Sequence, residues 1–568
     1  MNREQKNNRW TWATFIILSL LQILLLFSSL VDKSVTIDEF AHLPAGLNVL
    51  SSGDFRYCEL NPPLMNVLSS LPLRAMGINP PPPLQIPEAK RHSFWVNAYV
   101  FMNYHRHHYH RIFIVARMMT VGIVILLGLL IFSWARILVP ERRNTAALLS
   151  VTLIWFSPNI MGHAQLVTTD VGITFFMMLS VFSLFLFIRK QTILRAVICG
   201  ITLGLAQLVK FTAVYLYITH FITLTTVFLF RRPHMKARRL ITLVLTIYCI
   251  SILVINAGYC FQGTGKVMDN FSFVSAPFKM VKKFLPLQTP LPLPENYLSA
   301  FDQQLADTLR GAPSFLFGRS YQGGSWYYFF ALVAVKIPLP CLFLALLALY
   351  FSFTKRGLER FDQFLIVFPA LVIFIMFSFF SNKQIGLRMV LPALVAFLFW
   401  VGTTLASVKW SRKITATVGC LLIWFGIESF TIYPDYLTYF NQLVGGAEKG
   451  HFIAVDSNLD WGQDLPKLKR YLSKHNLNSI QLLYFGSVDP SIYGINYEVP
   501  LSGIRPGYLA VSRSLYGRGH FLYDHGELSW AGPFKVYELP FFKKVASLGH
   551  SIDVYKVEKT VSPEEIRY

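Results

Sequence analysis

Two adjacent carboxylates, Asp38 and Glu39, follow a long apolar run at the start of the chain, in the stretch "VTIDEFAHLPAG". A carboxylate at the mouth of a membrane cavity can act as a general base and take the proton from an acceptor hydroxyl. The same pair could instead cap a helix, because negative charge stabilises a helix N-terminus. The choice depends on which other charges lie at the same level of the membrane.

More ionisable residues occur inside or at the ends of apolar segments, where a charge is costly and usually marks a functional site. Any one of them could be a paired structural charge or could extend to the membrane surface. Taken together with Asp38 and Glu39, they predict a polar cavity that opens to the exterior. These residues are Asp170, His163, Lys210, Lys336, Arg388 and Arg117.

Two chemistries could use such a cavity. Transfer of a sugar from a lipid phosphate needs a carboxylate for the acceptor proton and fixed cations, or a metal, for the departing phosphate. A transporter could use the same charges to bind its cargo, but transporters usually show internal repeats and a site near the midplane. The sequence shows no internal repeat, and its large exterior segments favour an enzyme.

The composition assigns the chain to the membrane class. Of its 568 residues 54% are hydrophobic and only 14% are charged, well below the quarter that soluble proteins carry. A helix needs about 20 apolar residues to cross the hydrocarbon. We predict about eleven spans, of which the third and fifth are short: 12–31, 112–134, 144–160, 166–188, 193–209, 211–230, 239–258, 326–352, 361–380, 389–407 and 413–431.

The distribution of positive charge predicts the orientation. The formal net charge is +22, and six short loops on one side are basic, from "NREQKNNR" at the N-terminus to "KWSRK" near the last span. Basic short loops face the cytoplasm, so the charge does not indicate nucleic acid. We predict a multi-pass protein of the cell (inner) membrane with a cytoplasmic N-terminus.

The exterior side then carries two large segments. The first is a loop over about residues 32–111 within a membrane domain of residues 1–431. The second is a small periplasmic or exterior α/β domain over residues 432–568, with strands predicted in "HFIAVDSN", "SIQLLYFGS", "GYLAVSRS" and "SIDVYKVE" and a helix in "DLPKLKRYLSKHN". Cys58 and Cys260 both lie outside and could form one disulfide.

Several of these motifs resemble one family. "IDEFAH", "GDFRYCELNPPL", "HAQLVTTD", "GLAQLVKFTA" and "IGLRMVLP" are similar to motifs of membrane glycosyltransferases of the C superfamily, in particular bacterial relatives of protein O-mannosyltransferases and of the lipid A aminoarabinose transferase (glycosyltransferase family 39-like). The resemblance covers nearly the whole chain. It implies a helical membrane fold and transfer of a sugar from a polyprenyl-phosphate donor to an acceptor lipid, glycan or protein, most often with inversion.

The resemblance also implies roles for particular residues. Asp38 would be the catalytic base, Glu39 would orient it or bind the acceptor, and Lys210 and Arg388 would hold the donor phosphate. Glu59 and Asp170 match positions that hold a divalent metal (Mg, Mn or Zn) in some members, although lysine and arginine alone can neutralise the phosphate. Lys336 is added to the phosphate site from the topology, and His163 and Arg117 are expected in the cavity. One departure is Asn61, which precedes Pro62 where the mannosyltransferases tend to have His.

The sequence leaves the sugar and the acceptor open. A lipid-linked sugar transporter (a flippase), or a non-catalytic relative that only binds the lipid carrier, is the main alternative to the enzyme.

Overall fold

The computed structural model describes residues 3–82, 91–231, 237–354, 358–524, 527–534, 536, 539–562 and 565. Its helices, numbered in chain order, are α1 Arg3–Leu30, α2 Ile37–Ser52, α3 Leu64–Ala75, α4 Phe94–Tyr104, α5 Tyr109–Leu138, α6 Arg143–Trp155, α7 Pro158–Ala164, α8 Thr169–Arg189, α9 Ile193–Gln207, α10 Val214–Arg231, α11 Ala237–Gly258, α12 Ala276–Phe284, α13 Glu295–Arg310, α14 Tyr328–Lys336, α15 Leu339–Phe353, α16 Arg360–Phe380, α17 Leu391–Ser407, α18 Arg412–Thr431, α19 Gly446–Lys449 and α20 Leu465–Lys474.

The chain is a multi-pass helical membrane protein. Eight of the described helical segments are long and apolar enough to cross a membrane, or up to ten if each of two bent pairs counts as one span. The bent pairs fall on the third and eighth predicted spans, and the fifth is only the short apolar helix α9. The eleven predicted segments are thus all helical, but three of them are not simple spans.

The two bends follow from proline. Residues 140–155 and 158–164 meet at 66°, and α14 and α15 meet at 108°. Pro158 and Pro338 stand at these breaks, and the residue before each is extended. Proline has no backbone N–H and disfavours helical geometry in the residue before it. Because of the second bend, the end of α14 with Lys336 is buried inside the protein.

The first large loop contains α2, α3 and α4. The side of the membrane on which this loop lies is called the loop side. Helix α2 begins with a capping box, in which Thr36 and Glu39 satisfy each other's backbone N–H groups. It ends at Gly53, whose φ of 69° only glycine adopts easily. Helices α2 and α3 pack closely because Gly46 faces the Asn66 carbonyl, where an added Cβ would lie 2.0 Å from the oxygen.

The C-terminal region, residues 432–568, contains a five-stranded mixed sheet on the loop side. The described strands of the whole chain, of which the first two precede this region, are β1 Pro313–Leu316, β2 Arg319–Gln322, β3 Ile480–Leu483, β4 Tyr497–Glu498, β5 Gly507–Ser512, β6 His520–Asp524, β7 Glu527–Ala531, β8 Phe542–Leu548 and β9 Ile552–Val557. The sheet order is β4-β3-β5-β9-β8, with β3 parallel to both its neighbours. Helix α20 and strands β3, β5 and β9 confirm the predicted elements, and β1–β2 and β6–β7 are separate hairpins.

One predicted strand is wrong. "HFIAVDSN" forms short turns of 3-10 helix instead, and Asp456 within it has a φ of 62°, which a strand does not allow. This segment turns back toward the membrane helices. Lys33, at the end of the first span, anchors the same region by ion pairs to Asp435 and, at 2.8 Å, to Asp464.

Candidate functional site

A cavity of about 510 Å³ opens on the loop side. One wall comes from the first loop and the other from helices α10, α13 and α16 with the turn that follows α16. Its lining combines several charged groups with a mostly apolar surface, a composition typical of sites for amphipathic ligands. The lining residues are Asp38, His42, Leu60, Asn61, Phe94, Trp95, Thr169, Lys210, Phe211, Thr212, Val214, Tyr215, Phe301, Gln304, Leu305, Thr308, Leu309, Met376, Phe377, Phe380, Ser381, Lys383, Ile385, Arg388 and Met389.

Asp38 lies at this cavity, on the first turn of α2. Its Oδ2 accepts a hydrogen bond from Arg388 Nη1 at 2.6 Å. The Asp38 side chain keeps 26% of its surface exposed, whereas Arg388 keeps 8%. The carboxylate is therefore held in place by one cation while its remaining surface faces the cavity.

Asp170 connects two of the three predicted phosphate-binding cations, Lys210 and Arg388. Its Oδ1 accepts from Lys210 Nζ at 2.7 Å, and its Oδ2 lies 3.4 Å from Arg388 Nη1. Asp170 is buried at the start of α8, while Lys210, which precedes α10, keeps part of its surface in the cavity. Four predicted site residues, Asp38, Asp170, Lys210 and Arg388, thus form one connected cluster, although they lie up to 350 positions apart.

Sequence reasoning missed a fifth charged group, Lys383. It lies in the turn between α16 and the next helix, lines the cavity and is partly buried. Burial lowers the pKa of Lys383, although the nearby Asp38 carboxylate opposes that effect. Among the described residues no carboxylate pairs with its ammonium group, so Lys383 is the cation most available to an anionic ligand. Its only sequence signal is a lysine in a short turn that the predicted topology places outside.

The C-terminal region completes the site behind Arg388. The Arg388 Nε donates to Ser457 Oγ at 3.1 Å, and the guanidinium lies 4.2 Å from the centre of the Trp461 ring. Asn458 Oδ1 accepts from the backbone N–H of Leu387 at 3.0 Å. The segment that was predicted as a strand therefore supports the arginine from the side opposite the cavity.

Glu39 does not line the cavity. It is fully buried and forms a two-pronged ion pair with Arg117, at 2.8 Å and 2.7 Å, and it also accepts from the backbone N–H groups of Thr36 and Val167. Of the two roles predicted for Glu39, these contacts fit orientation of Asp38 and not binding of the acceptor, and Arg117 does not line the cavity as expected. Their pair fixes the start of α2, so Glu39 positions Asp38 through the backbone.

Lys336 and His163 also lie outside the cavity lining. Lys336 is buried, and its Nζ donates to the carbonyl oxygens of Leu437 at 3.0 Å and Asn458 at 2.5 Å. His163 is buried with its ring 6.3 Å from that of Trp461. The prediction that Lys336 holds the donor phosphate does not fit these contacts, because two of its three ammonium protons point at carbonyl oxygens and the ammonium also lies 4.5 Å from the centre of the Phe440 ring. Both residues instead support the segment behind Arg388.

The two predicted metal ligands, Asp170 and Glu59, both have other partners in the structure. Both oxygens of Asp170 face cations, and Glu59 Oε1 accepts from the backbone N–H of Phe94 at 2.8 Å. Within the described ranges, no three His, Cys, Asp or Glu side chains come together as ligands. Cys58 is buried and Cys260 is exposed, and both are free thiols.

The segment 109–256, which includes Asp170, Lys210 and the helices around them, matches a family model described as dolichyl-phosphate-mannose-protein mannosyltransferase. This matched segment is about a quarter of the chain, which is similar there to that mannosyltransferase family. No curated protein sequence matches it significantly.

Solved structures of low sequence identity align with most of the chain. ArnT from Cupriavidus metallidurans, bound to undecaprenyl phosphate, aligns with 96% of this chain and 97% of its own at 12% identity, with a TM-score of 0.45. The oligosaccharyltransferase AglB from Archaeoglobus fulgidus, bound to an inhibitory peptide and dolichol-phosphate, aligns over 94% and 75% at 12% identity, with a TM-score of 0.47. The mycobacterial arabinofuranosyltransferase AftD aligns over 97% and 40% at 11% identity, with a TM-score of 0.41.

Proposed function

We propose that the protein transfers a sugar from a polyprenyl-phosphate donor to an acceptor hydroxyl, with Asp38 as the general base. The observation that supports this most is the cluster at the cavity, where one partly exposed carboxylate lies beside three cations. The family match over residues 109–256 supports a lipid-phosphate sugar as the donor class. The cavity faces the loop side, which the positive-inside rule assigns to the exterior of the cell (inner) membrane.

The charges of the cluster suit a phosphodiester. Asp38 and Asp170 offset two of the three positive charges of Lys210, Lys383 and Arg388, which leaves about one positive charge for the single negative charge of a sugar-phosphate-lipid. During transfer the departing lipid phosphate gains a second negative charge, and fixed cations in a partly buried site stabilise that charge strongly. Lysine and arginine thus supply the neutralisation, and no step requires a metal ion.

The Asp38–Arg388 ion pair has a role in this scheme. Arg388 is shared between Asp38 and Asp170 in the free protein. A phosphate that enters the cavity competes for the same guanidinium protons and offers a bidentate partner. Donor binding therefore frees Asp38 from its cation, so that it becomes available as a base only when the donor is present.

The proposed reaction needs one proton transfer and one displacement. Asp38 takes the proton of the acceptor hydroxyl, and the hydroxyl oxygen attacks the anomeric carbon. The bond from that carbon to the phosphate oxygen breaks, and its electron pair stays on the lipid phosphate. Attack from the face opposite the phosphate inverts the anomeric carbon.

The apolar wall suits the lipid part of the donor. Tyr215 and Val214 of α10 and Met376, Phe377 and Phe380 of α16 line the cavity, and both helices are among the candidate membrane spans. A polyprenyl chain that enters between them would keep its isoprene units in an apolar setting while its phosphate reaches Lys210.

The test is turnover by the purified protein with a panel of short-chain polyprenyl-phosphate hexoses and pentoses and a mixture of lipid, glycan and peptide acceptors. We expect one donor to be consumed, with release of the lipid phosphate and an inverted product. Asp269→Asn is a suitable control, because this carboxylate is exposed and lies outside the cavity lining. Donor binding without any release of lipid phosphate would contradict the proposal and favour a carrier-binding protein or a flippase.

A further inference from the structure

Three neutral side chains line the first-loop wall of the cavity: His42, Asn61 and Trp95. His42 lies four residues after Asp38 on α2, so both side chains lie on the same face of the helix, one turn apart. The three lysine and arginine side chains of the cavity belong to other elements. The wall beside the proposed base is thus neutral and can form hydrogen bonds.

His42 is the most constrained of the three. It is only 4% exposed, and its Nδ1 lies 2.9 Å from Asn66 Oδ1. The Asn66 amide nitrogen points to Cys58 Sγ at 3.5 Å, which leaves the Asn66 oxygen for the imidazole. Nδ1 therefore carries the proton and Nε2 has a free lone pair. No described residue forms a hydrogen bond with Nε2, and His42 lines the cavity, so this lone pair is open to a ligand there.

Burial in the first-loop wall favours the neutral form of His42. Burial lowers the pKa of His42, and the nearby Asp38 carboxylate and the bond to Asn66 only partly oppose this effect. A neutral imidazole with its proton on Nδ1 is a hydrogen-bond acceptor at Nε2. The group that fits it best is a hydroxyl donor.

Trp95 adds an apolar platform to the same wall. The indole is 39% exposed and stacks against Phe40 at 6.5 Å. Its neighbour Phe94 packs edge-on against the His42 ring at 5.3 Å, and the Phe94 N–H is held by Glu59, two residues before Asn61. Glu59 thus ties the Asn61 turn to the start of α4 and keeps the three side chains on one wall.

We propose that His42, Asn61 and Trp95 form the subsite for the donor sugar, in which His42 Nε2 accepts a hydrogen bond from a sugar hydroxyl. This inference rests on the proposed function. A sugar ring has hydroxyl groups on its edge and C–H groups on its faces, so it matches a wall of neutral hydrogen-bonding groups and one exposed aromatic ring. With the phosphate on Lys210, Lys383 and Arg388, the sugar lies beside Asp38.

Two substitutions of His42 distinguish the roles of its two ring nitrogens. Asparagine reproduces the Nδ1 group that bonds Asn66 but has no atom at the position of Nε2. Glutamine reaches the position of Nε2 but loses the bond to Asn66. The probes are a short-chain polyprenyl-phosphate hexose, chosen from a panel as the one that binds the wild type most tightly, and the sugar-free polyprenyl phosphate of the same chain length.

We expect His42→Asn to weaken binding of the sugar-bearing lipid about tenfold, the usual effect of one lost hydrogen bond, and to leave binding of the sugar-free lipid unchanged. His42→Gln should recover most of the loss for the sugar-bearing lipid. Equal effects of His42→Asn on both lipids, or no effect on either, would overturn the proposal and leave His42 as a structural or acceptor-side residue. Wild-type protein that binds neither lipid would overturn the proposed function itself, whereas equal binding of both lipids would overturn only the sugar subsite.

Discussion

Ser457 in the C-terminal region tests whether this region shapes the catalytic cluster or only packs beside it. Its hydroxyl accepts the hydrogen bond of Arg388 Nε at 3.1 Å and donates to the Ile385 carbonyl. Ser457→Ala removes this support without changing any group that lines the cavity. Arg388 would keep its contacts with Asp38 and Trp461 but lose the bond that fixes the rotation of its guanidinium.

The expected loss of activity follows from the charge of Arg388, which donates this hydrogen bond. A hydrogen bond to a charged group contributes about 1.5–3 kcal/mol. Because Arg388 keeps its other partners, we take the lower part of this range, about 1.5–2 kcal/mol. At about 1.4 kcal/mol for each factor of ten, Ser457→Ala should lower kcat/KM for the donor about 10- to 30-fold.

The control is Ser551→Ala. Ser551 is also buried in the C-terminal region, and its hydroxyl donates to Asp464 at 2.6 Å, away from Arg388. The assay compares kcat/KM for the donor and the thermal unfolding midpoint of the two variants. Both should unfold at somewhat lower temperature, but only Ser457→Ala should lose donor turnover. Equal turnover in both variants, whether lowered or unchanged, would refute the claim that the C-terminal region positions Arg388.

Two further substitutions test other contacts. Lys210→Ala should raise KM for the donor more than KM for the acceptor, because Lys210 holds the phosphate in our scheme. Lys210→Arg should recover part of this effect. Equal increases in KM for both substrates would indicate a structural role. Lys33→Met should destabilise the protein by about 3 kcal/mol, since it leaves the partly buried Asp435 and the buried Asp464 to share the charge of Lys467. The measurements are the thermal unfolding midpoint and the rate of limited proteolysis in the C-terminal region, and an unchanged midpoint and rate would contradict this expectation.

Much of the membrane architecture could be predicted because it depends on local composition. Apolar runs of about 20 residues reveal helices without knowledge of their neighbours. The bend at Pro338 was missed within the predicted span 326–352, because proline occurs in straight and kinked membrane helices alike and only the surrounding protein decides which forms. The strand predicted in "HFIAVDSN" failed for a similar reason: its apolar alternation is overridden by contacts that Asp456 and its neighbours make with other parts of the chain.

The site was predictable where a charge lies near the loop-side end of a span and unpredictable where its partner is distant. Asp38, Lys210 and Arg388 meet as the topology predicted. Glu39 has the same sequence context as Asp38, yet the backbone turns it toward Arg117 and away from the cavity. Lys336 was misassigned because its partners are backbone carbonyl groups more than 100 residues away, and the sequence does not show these.

The decisive measurement is of donor binding and sugar transfer by Asp38→Asn in the same preparation. We expect binding of the polyprenyl-phosphate sugar to be kept or to become tighter, because Arg388 loses a competing carboxylate, while transfer falls by about 10²- to 10⁴-fold for lack of the base. A folded Asp38→Asn protein that transfers the sugar at the wild-type rate would show that Asp38 is not the base.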